Sequence, residues 1–144
     1  MSTFGGADLI VTSPGVPPEL AELTAARAAG VPVIGEVELA FRWLAGRVIA
    51  ITGTKGKSTT TSLTGRMLRQ AGLTVTVGGN IGAPISAQVD DSTPDTLHVV
   101  EVSSFQLEQI ETFRERHGLD RPLAEQYGRS KFAFTSPISP PPPA

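Results

Sequence analysis

One segment narrows the fold before anything else: Arg47-Val-Ile-Ala-Ile-Thr52, followed at once by Gly53-Thr-Lys-Gly56-Lys57-Ser58-Thr-Thr60. Its first half is an apolar run with no polar alternation that would leave one face in water. A strand of that kind is covered on both sides, as in a parallel sheet with helices on each face. Its second half supplies glycines for a turn and then a helix, expected from about Lys57 to Ala71 and closed by Gly72.

The rest of the chain repeats the alternation. Asp8–Thr12 reads as a short strand ended by Ser13-Pro14-Gly15, and a helix is expected from about Pro18 to Ala29, with Gly30 after its end. Val31–Ile34 reads as a strand, Pro32 placing it at an edge or marking its start. Glu36–Leu44 reads as a helix with Val37, Ala40, Phe41 and Leu44 on one face; Phe41 and Trp43 are expected in the core. Strand Thr74–Val77, a Gly-rich loop, a short helix at Pro84–Val89 and strand Leu97–Val102 follow. The fold class is therefore α/β, a parallel sheet built from βαβ units. After Val102 the sheet is expected to stop, leaving an inner strand unpaired, because Phe105–Lys131 is dense in charge. The proline-rich residues 135–144 read as a disordered tail.

Composition excludes several functions. At 144 residues with 40% hydrophobic residues there is material for one core but not for two complete domains. Twelve basic against 14 acidic residues give a net charge of -2, so there is no basic surplus of the kind a nucleic-acid binder uses. The absence of cysteine removes disulfides, thiolate metal sites and a Cys nucleophile. No secretory leader and no run of about 18 apolar residues is present, so a cytoplasmic protein without membrane insertion is expected.

The loop after the first buried strand carries the clearest chemistry. Its glycines let backbone N–H groups converge on an anion, and the following helix contributes the positive end of its dipole. Lys57 in that turn can reach the β and γ phosphates, and the Ser58 hydroxyl can ligate Mg²⁺. Only Thr54 and Lys55 separate Gly53 from Gly56, a shorter spacing than the common phosphate loop. For Lys55 a phosphate contact and a solvated loop charge stay equally open. Glu101, at a strand end where ligands of parallel sheets bind, is either a partner of the Mg²⁺ held by Ser58 or a cap for the helix beginning at Ser103-Ser104. Asn80, in Gly78-Gly-Asn-Ile-Gly82, is by default a turn former. His98 reads as a packed strand residue.

Taken together, Thr52–Thr59, Gly78-Gly-Asn-Ile-Gly82 and Glu101-Val-Ser-Ser-Phe-Gln-Leu-Glu108 resemble the Mur ligase family, ATP-dependent enzymes that add amino acids to the peptidoglycan precursor. The last two segments, with Ser13-Pro14-Gly15 and Gly35-Glu-Val-Glu-Leu39, are most similar to its D-glutamate-adding branch. The resemblance implies an ATP-dependent acid–amino-acid ligase acting through an acyl phosphate, with UDP-N-acetylmuramoyl-L-alanine and D-glutamate as substrates, ATP and Mg²⁺ as cofactors, and a monomer. It implies ATP binding by Gly53, Thr54, Lys55, Gly56, Lys57, Ser58 and Thr59, and Mg²⁺ binding by Ser58 and Glu101. Substrate contacts fall on Ser13, Gly15, Asn80, Ser103 and Gln106; Lys57 acts on the transferring phosphate, and Lys131 matches the position of a carbamoylated lysine.

The same resemblance divides the chain into the end of a Rossmann-like UDP-substrate domain (1–46), an incomplete phosphate-loop-type ATP-binding domain (47–134) and the tail (135–144). The strand and Asp-His motif that the family carries beyond Phe113 have no counterpart, and His117 is not their equivalent. A fragment that does not ligate by itself is the expectation. The alternatives are a non-catalytic nucleotide-binding remnant, or another ligase of the superfamily such as a folylpolyglutamate synthase.

Overall fold

The computed structural model describes Phe4, residues 6–103, Gln106, Ile110 and Phe132–Thr135. The order is β1 (Ile10–Thr12), α1 (Ala21–Ala28), β2 (Val33–Gly35), α2 (Glu36–Trp43), β3 (Arg47–Thr52), α3 (Lys57–Gln70), β4 (Val75–Gly79), a 3₁₀ turn (Ile85–Gln88), β5 (Leu97–Glu101) and β6 (Phe132–Thr135). β1 and β2 form a parallel pair, and the other four strands form a second sheet in the order β4-β5-β3-β6.

Strand alternation explains why both faces of the larger sheet are apolar. Val48 and Ala50 of β3 and Val100 of β5 face α2, packing with Val37, Ala40, Phe41, Leu44 and Ile85. Ile49, Ile51 and Val99 point the other way, against Leu68 of α3. The β1–β2 pair has a separate small core of Ile10, Leu23 and Ala26. α2 begins on the residue after β2, so the helix that leaves the small sheet is packed into the core of the large one.

Several expectations need correction. Trp43 is 69% exposed, because Val37, Ala40, Phe41 and Leu44 already fill the buried stripe of α2 and Trp43 lies about 100° round the helix from Leu44. The sheet does not stop at β5: β6 runs antiparallel along the free edge of β3, pairing Ile49 with Thr135 and Thr52 with Phe132. The inner strand is thus paired, the larger sheet is mixed, and the proline-rich tail loses Thr135 to a strand. The short helix at Pro84–Val89 is a single 3₁₀ turn, and α1 starts at Ala21, after the prolines. The remaining expected elements form within a few residues of their expected bounds.

His98 is fully buried, and its partners fix its tautomer. Ser92 Oγ accepts the N–H groups of Ala45 and Gly46, both at 3.0 Å, which leaves its own proton for His98 Nε2 at 2.7 Å. The ring proton then sits on Nδ1, facing Thr76 Oγ1 at 2.7 Å. Burial holds the His98 pKa below its ordinary value of 6.5. The unfolded chain therefore takes up this proton first as pH falls. The contribution of His98 is complete above about pH 6.5 and is lost below it, with a slope of at most about 1.4 kcal/mol per pH unit for one proton. Urea denaturation between pH 7.5 and 5.5 should show the loss in the wild type and a flatter profile in His98→Gln; parallel profiles would refute it.

Candidate functional site

β3, β4 and β5 are parallel, so their carboxyl ends lie along one edge, and the chemistry-bearing loops start there. Leaving β3 at Thr52, the chain turns through Gly53–Gly56 and enters α3. Gly56 is the residue before the helix and has φ +74, a left-handed conformation open to glycine at little cost. No side chain caps α3, and its first turn contains no acidic residue, so the uncapped N–H groups and the dipole end are left for an anion. Lys57 Nζ donates to the Gly53 carbonyl at 2.7 Å, folding the ammonium back over the loop.

The hydroxyls of this segment divide into two kinds. Thr60 Oγ1 and Thr61 Oγ1 each donate to the carbonyl four residues back, at 2.8 Å in both cases. Ser58 and Thr59 make no such side-chain bond among the described residues and are exposed at the first turn. Lys55 is exposed at the loop tip.

Glu101 closes β5 in register with Ile51 on one side and Gly79 on the other. It is 5% exposed, and its Oε2 is buried with no hydrogen-bond partner. The capping role open to it is taken by others. Gln106 N donates to Ser103 Oγ at 3.2 Å and Ser103 N donates to Gln106 Oε1 at 2.8 Å, a reciprocal capping box. A buried carboxylate oxygen without a donor is costly unless something cationic meets it. Oxygen ligands, few in number and beside the glycine-lysine-serine loop, could hold a Mg²⁺ that keeps several waters. Among the described residues no three His, Asp, Glu or Cys side chains cluster as a metal cage.

Beside this edge lies a cleft of about 620 Å³. One wall is the segment after β1 together with the β2–α2 corner; the other is Asn80 with Ser103 and Gln106. Ser13, Gly15, Asn80, Ser103 and Gln106 thus come together in one cavity although they span ninety residues of sequence. Asn80 is also a turn residue, its N–H donating to the Glu101 carbonyl at 3.0 Å. Gln106 Nε2 is buried and unpartnered in the same cleft. Pro14, Pro17, Pro18, Glu36 and Glu38 line it too. In the sequence the prolines read only as strand and helix punctuation, while Glu36 and Glu38 fall in the Gly35–Leu39 segment of the family resemblance. Lys131 and His117 lie outside the described residues.

The fold and this edge define a mixed α/β protein with parallel strands and a glycine-lysine-serine loop at their carboxyl ends. Residues 51–116 match the Mur ligase middle domain. Over these residues the chain is similar to the Mur ligase family. It is 58% identical over 118 residues to the UDP-N-acetylmuramoylalanine--D-glutamate ligase of Solibacter usitatus, covering 82% of this chain and 27% of that protein. The enzyme of the same name from Acidobacterium capsulatum is 58% identical over 112 residues, 78% of this chain and 24% of the relative. That from Desulfatibacillum aliphaticivorans is 49% identical over 127 residues, 88% and 28%. The chain spans about a quarter of the length of these relatives. No helix among the described residues is long and apolar enough to cross a membrane.

Proposed function

We propose that this chain carries the ATP-handling edge and one substrate wall of a D-glutamate-adding ligase of peptidoglycan precursor synthesis. ATP would lie on Gly53–Thr59, in a phosphate-loop-type domain covering 47–134, and UDP-N-acetylmuramoyl-L-alanine in the cleft formed with the Rossmann-like residues 1–46. The observation that carries the reading is the buried, donor-free Oε2 of Glu101 at the strand edge that also bears the loop.

The chemistry is transfer of the γ-phosphoryl group to the precursor carboxylate with ADP leaving, then attack by the D-glutamate amine on the acyl carbon, which forms the amide and releases inorganic phosphate and a proton. The chain's own residues position and neutralise, which is most of what phosphoryl transfer asks of a protein. Loop N–H groups hold the phosphate oxygens, and Lys57 places its ammonium against the migrating group. Ser58 Oγ and Glu101 would hold Mg²⁺, which would supply positive charge to neutralise the phosphates. Asn80, Ser103 and Gln106 orient the precursor, with the free Nε2 of Gln106 as a donor. Lys131 is assigned the carbamoylated position on the family pattern alone, and the site is that of a cytoplasmic monomer.

Glu101→Gln tests the assignment. The amide keeps the shape but loses the charge, so Mg²⁺ should no longer strengthen binding of a non-hydrolysable ATP analogue, while affinity without Mg²⁺ stays within about twofold. Calorimetric titration with and without Mg²⁺ reads this directly. An undiminished Mg²⁺ effect in the variant would remove Glu101 from the metal site.

A further inference from the structure

The cleft has two walls from different sheets, and beside it a polar contact ties the β2–α2 corner to the 3₁₀ turn. Glu36, the first residue of α2, accepts the backbone N–H of Ser86 on its Oε1 at 2.7 Å, across fifty residues of sequence. Ser86 sits in the 3₁₀ turn that follows the Asn80 loop, whereas Glu36 follows β2 directly and lines the cleft. Beneath this bond the same elements meet through apolar contact, with Ile85 packed among Val37, Ala40 and Phe41. Apolar burial holds surfaces together without setting a direction, whereas a short charge-assisted hydrogen bond sets one.

We infer that Glu36 is a positioning residue for the cleft: its carboxylate latches the β2–α2 corner to the 3₁₀ turn and so sets the spacing between Ser13-Gly15 and Asn80 that a nucleoside-diphosphate sugar requires. This rests on the proposed use of the cleft for a uridine nucleotide. The bond also has an electrostatic consequence. Among the described residues the ion pair in this helix joins Arg42 to Glu38 and leaves Glu36 without a cation. Engaging the Ser86 N–H turns one oxygen of Glu36 away from a diphosphate that it would otherwise repel.

The tests are amide hydrogen exchange at Ser86 and binding of UDP-N-acetylglucosamine, used as the probe, by the full chain and two variants. Glu36→Ala removes the acceptor; Glu36→Gln keeps an acceptor oxygen and removes the charge. Ser86 exchange should accelerate about tenfold or more in Glu36→Ala and stay near wild type in Glu36→Gln. Probe affinity should weaken about tenfold in Glu36→Ala and be equal to wild type or tighter in Glu36→Gln, because the repulsion is gone while the latch remains. Affinity for the Mg²⁺–ATP analogue should stay unchanged in both, which a general loosening of α2 would not allow. Unchanged Ser86 exchange in Glu36→Ala, or equal weakening of both ligands, overturns the latch. Failure of the wild-type chain to bind the probe overturns the uridine-nucleotide reading and the positioning role with it, and the Ser86 exchange then shows separately whether the bond exists.

Discussion

Lys57→Ala should weaken binding of a Mg²⁺–ATP analogue by about 10- to 100-fold, the range that one to two charge-assisted hydrogen bonds supply. Lys57 Nζ is held 2.7 Å from the Gly53 carbonyl, so the ammonium already hangs over the turn. An ammonium has three donors, and one spent on Gly53 leaves two for phosphate oxygens. Alanine removes both the charge and the tether, while α3 keeps its best helix former at the first position. The fold should therefore survive, and equal urea midpoints for the two proteins would establish that. Lys57→Arg is the informative companion. It keeps the charge but cannot fold so compactly onto Gly53, so its affinity should fall between the other two. Equal affinity of wild type and Lys57→Ala in calorimetric titration would show that phosphates do not bind at this loop.

The parts of the fold that could be read from sequence are those whose causes are local. β3 and β5 are buried on both faces, so Val48–Ile51 appears as an unbroken apolar run and Leu97–Val102 as one interrupted only by His98 and Glu101. The loop is legible for the same reason, since strand, glycine turn, lysine and helix are contiguous. What could not be read depends on distant partners. β6 is four residues long, follows a charge-rich stretch, and owes its place to the open edge of β3 about eighty residues earlier. Nothing in the periodicity of Phe132–Thr135 encodes that pairing. The choice between two roles for Glu101 was likewise undecidable from spacing. The capping alternative turns on whether Ser103 and Gln106 cap each other, and they do. The cleft residues came from family likeness; residue physics alone would have left Asn80 a turn former, and the cleft-lining prolines looked like punctuation.

The largest stability effect is expected at Gly79, where fold and site share an atom. Gly79 has φ +98, and a Cβ added there would sit 2.2 Å from the Glu101 carbonyl oxygen and 2.9 Å from Val100 Cγ1. The left-handed conformation alone costs a non-glycine residue about 1–2 kcal/mol. The collision adds about 1–3 kcal/mol, as overpacking does, and here the obstacle is backbone that cannot swing aside. Gly79→Ala should thus lose about 2–5 kcal/mol in urea denaturation. Gly72→Ala separates the two causes, because Gly72 has φ +83 with nothing within 4 Å of an added Cβ. It should lose only the conformational part, about 1–2 kcal/mol. Relief of the clash in Gly79→Ala requires the end of β4 to withdraw from β5, and the Asn80 N–H bond to the Glu101 carbonyl goes with it. Asn80 would then leave its cleft wall and Glu101 would shift at the strand edge. The folded fraction of Gly79→Ala should consequently bind both the UDP-sugar probe and the Mg²⁺–ATP analogue more weakly, with Gly72→Ala binding both as wild type does. Equal stability losses in the two variants would mean that β4 and β5 do not approach this closely at Gly79. The coupling of Asn80 to Glu101 through one carbonyl would then have to be abandoned.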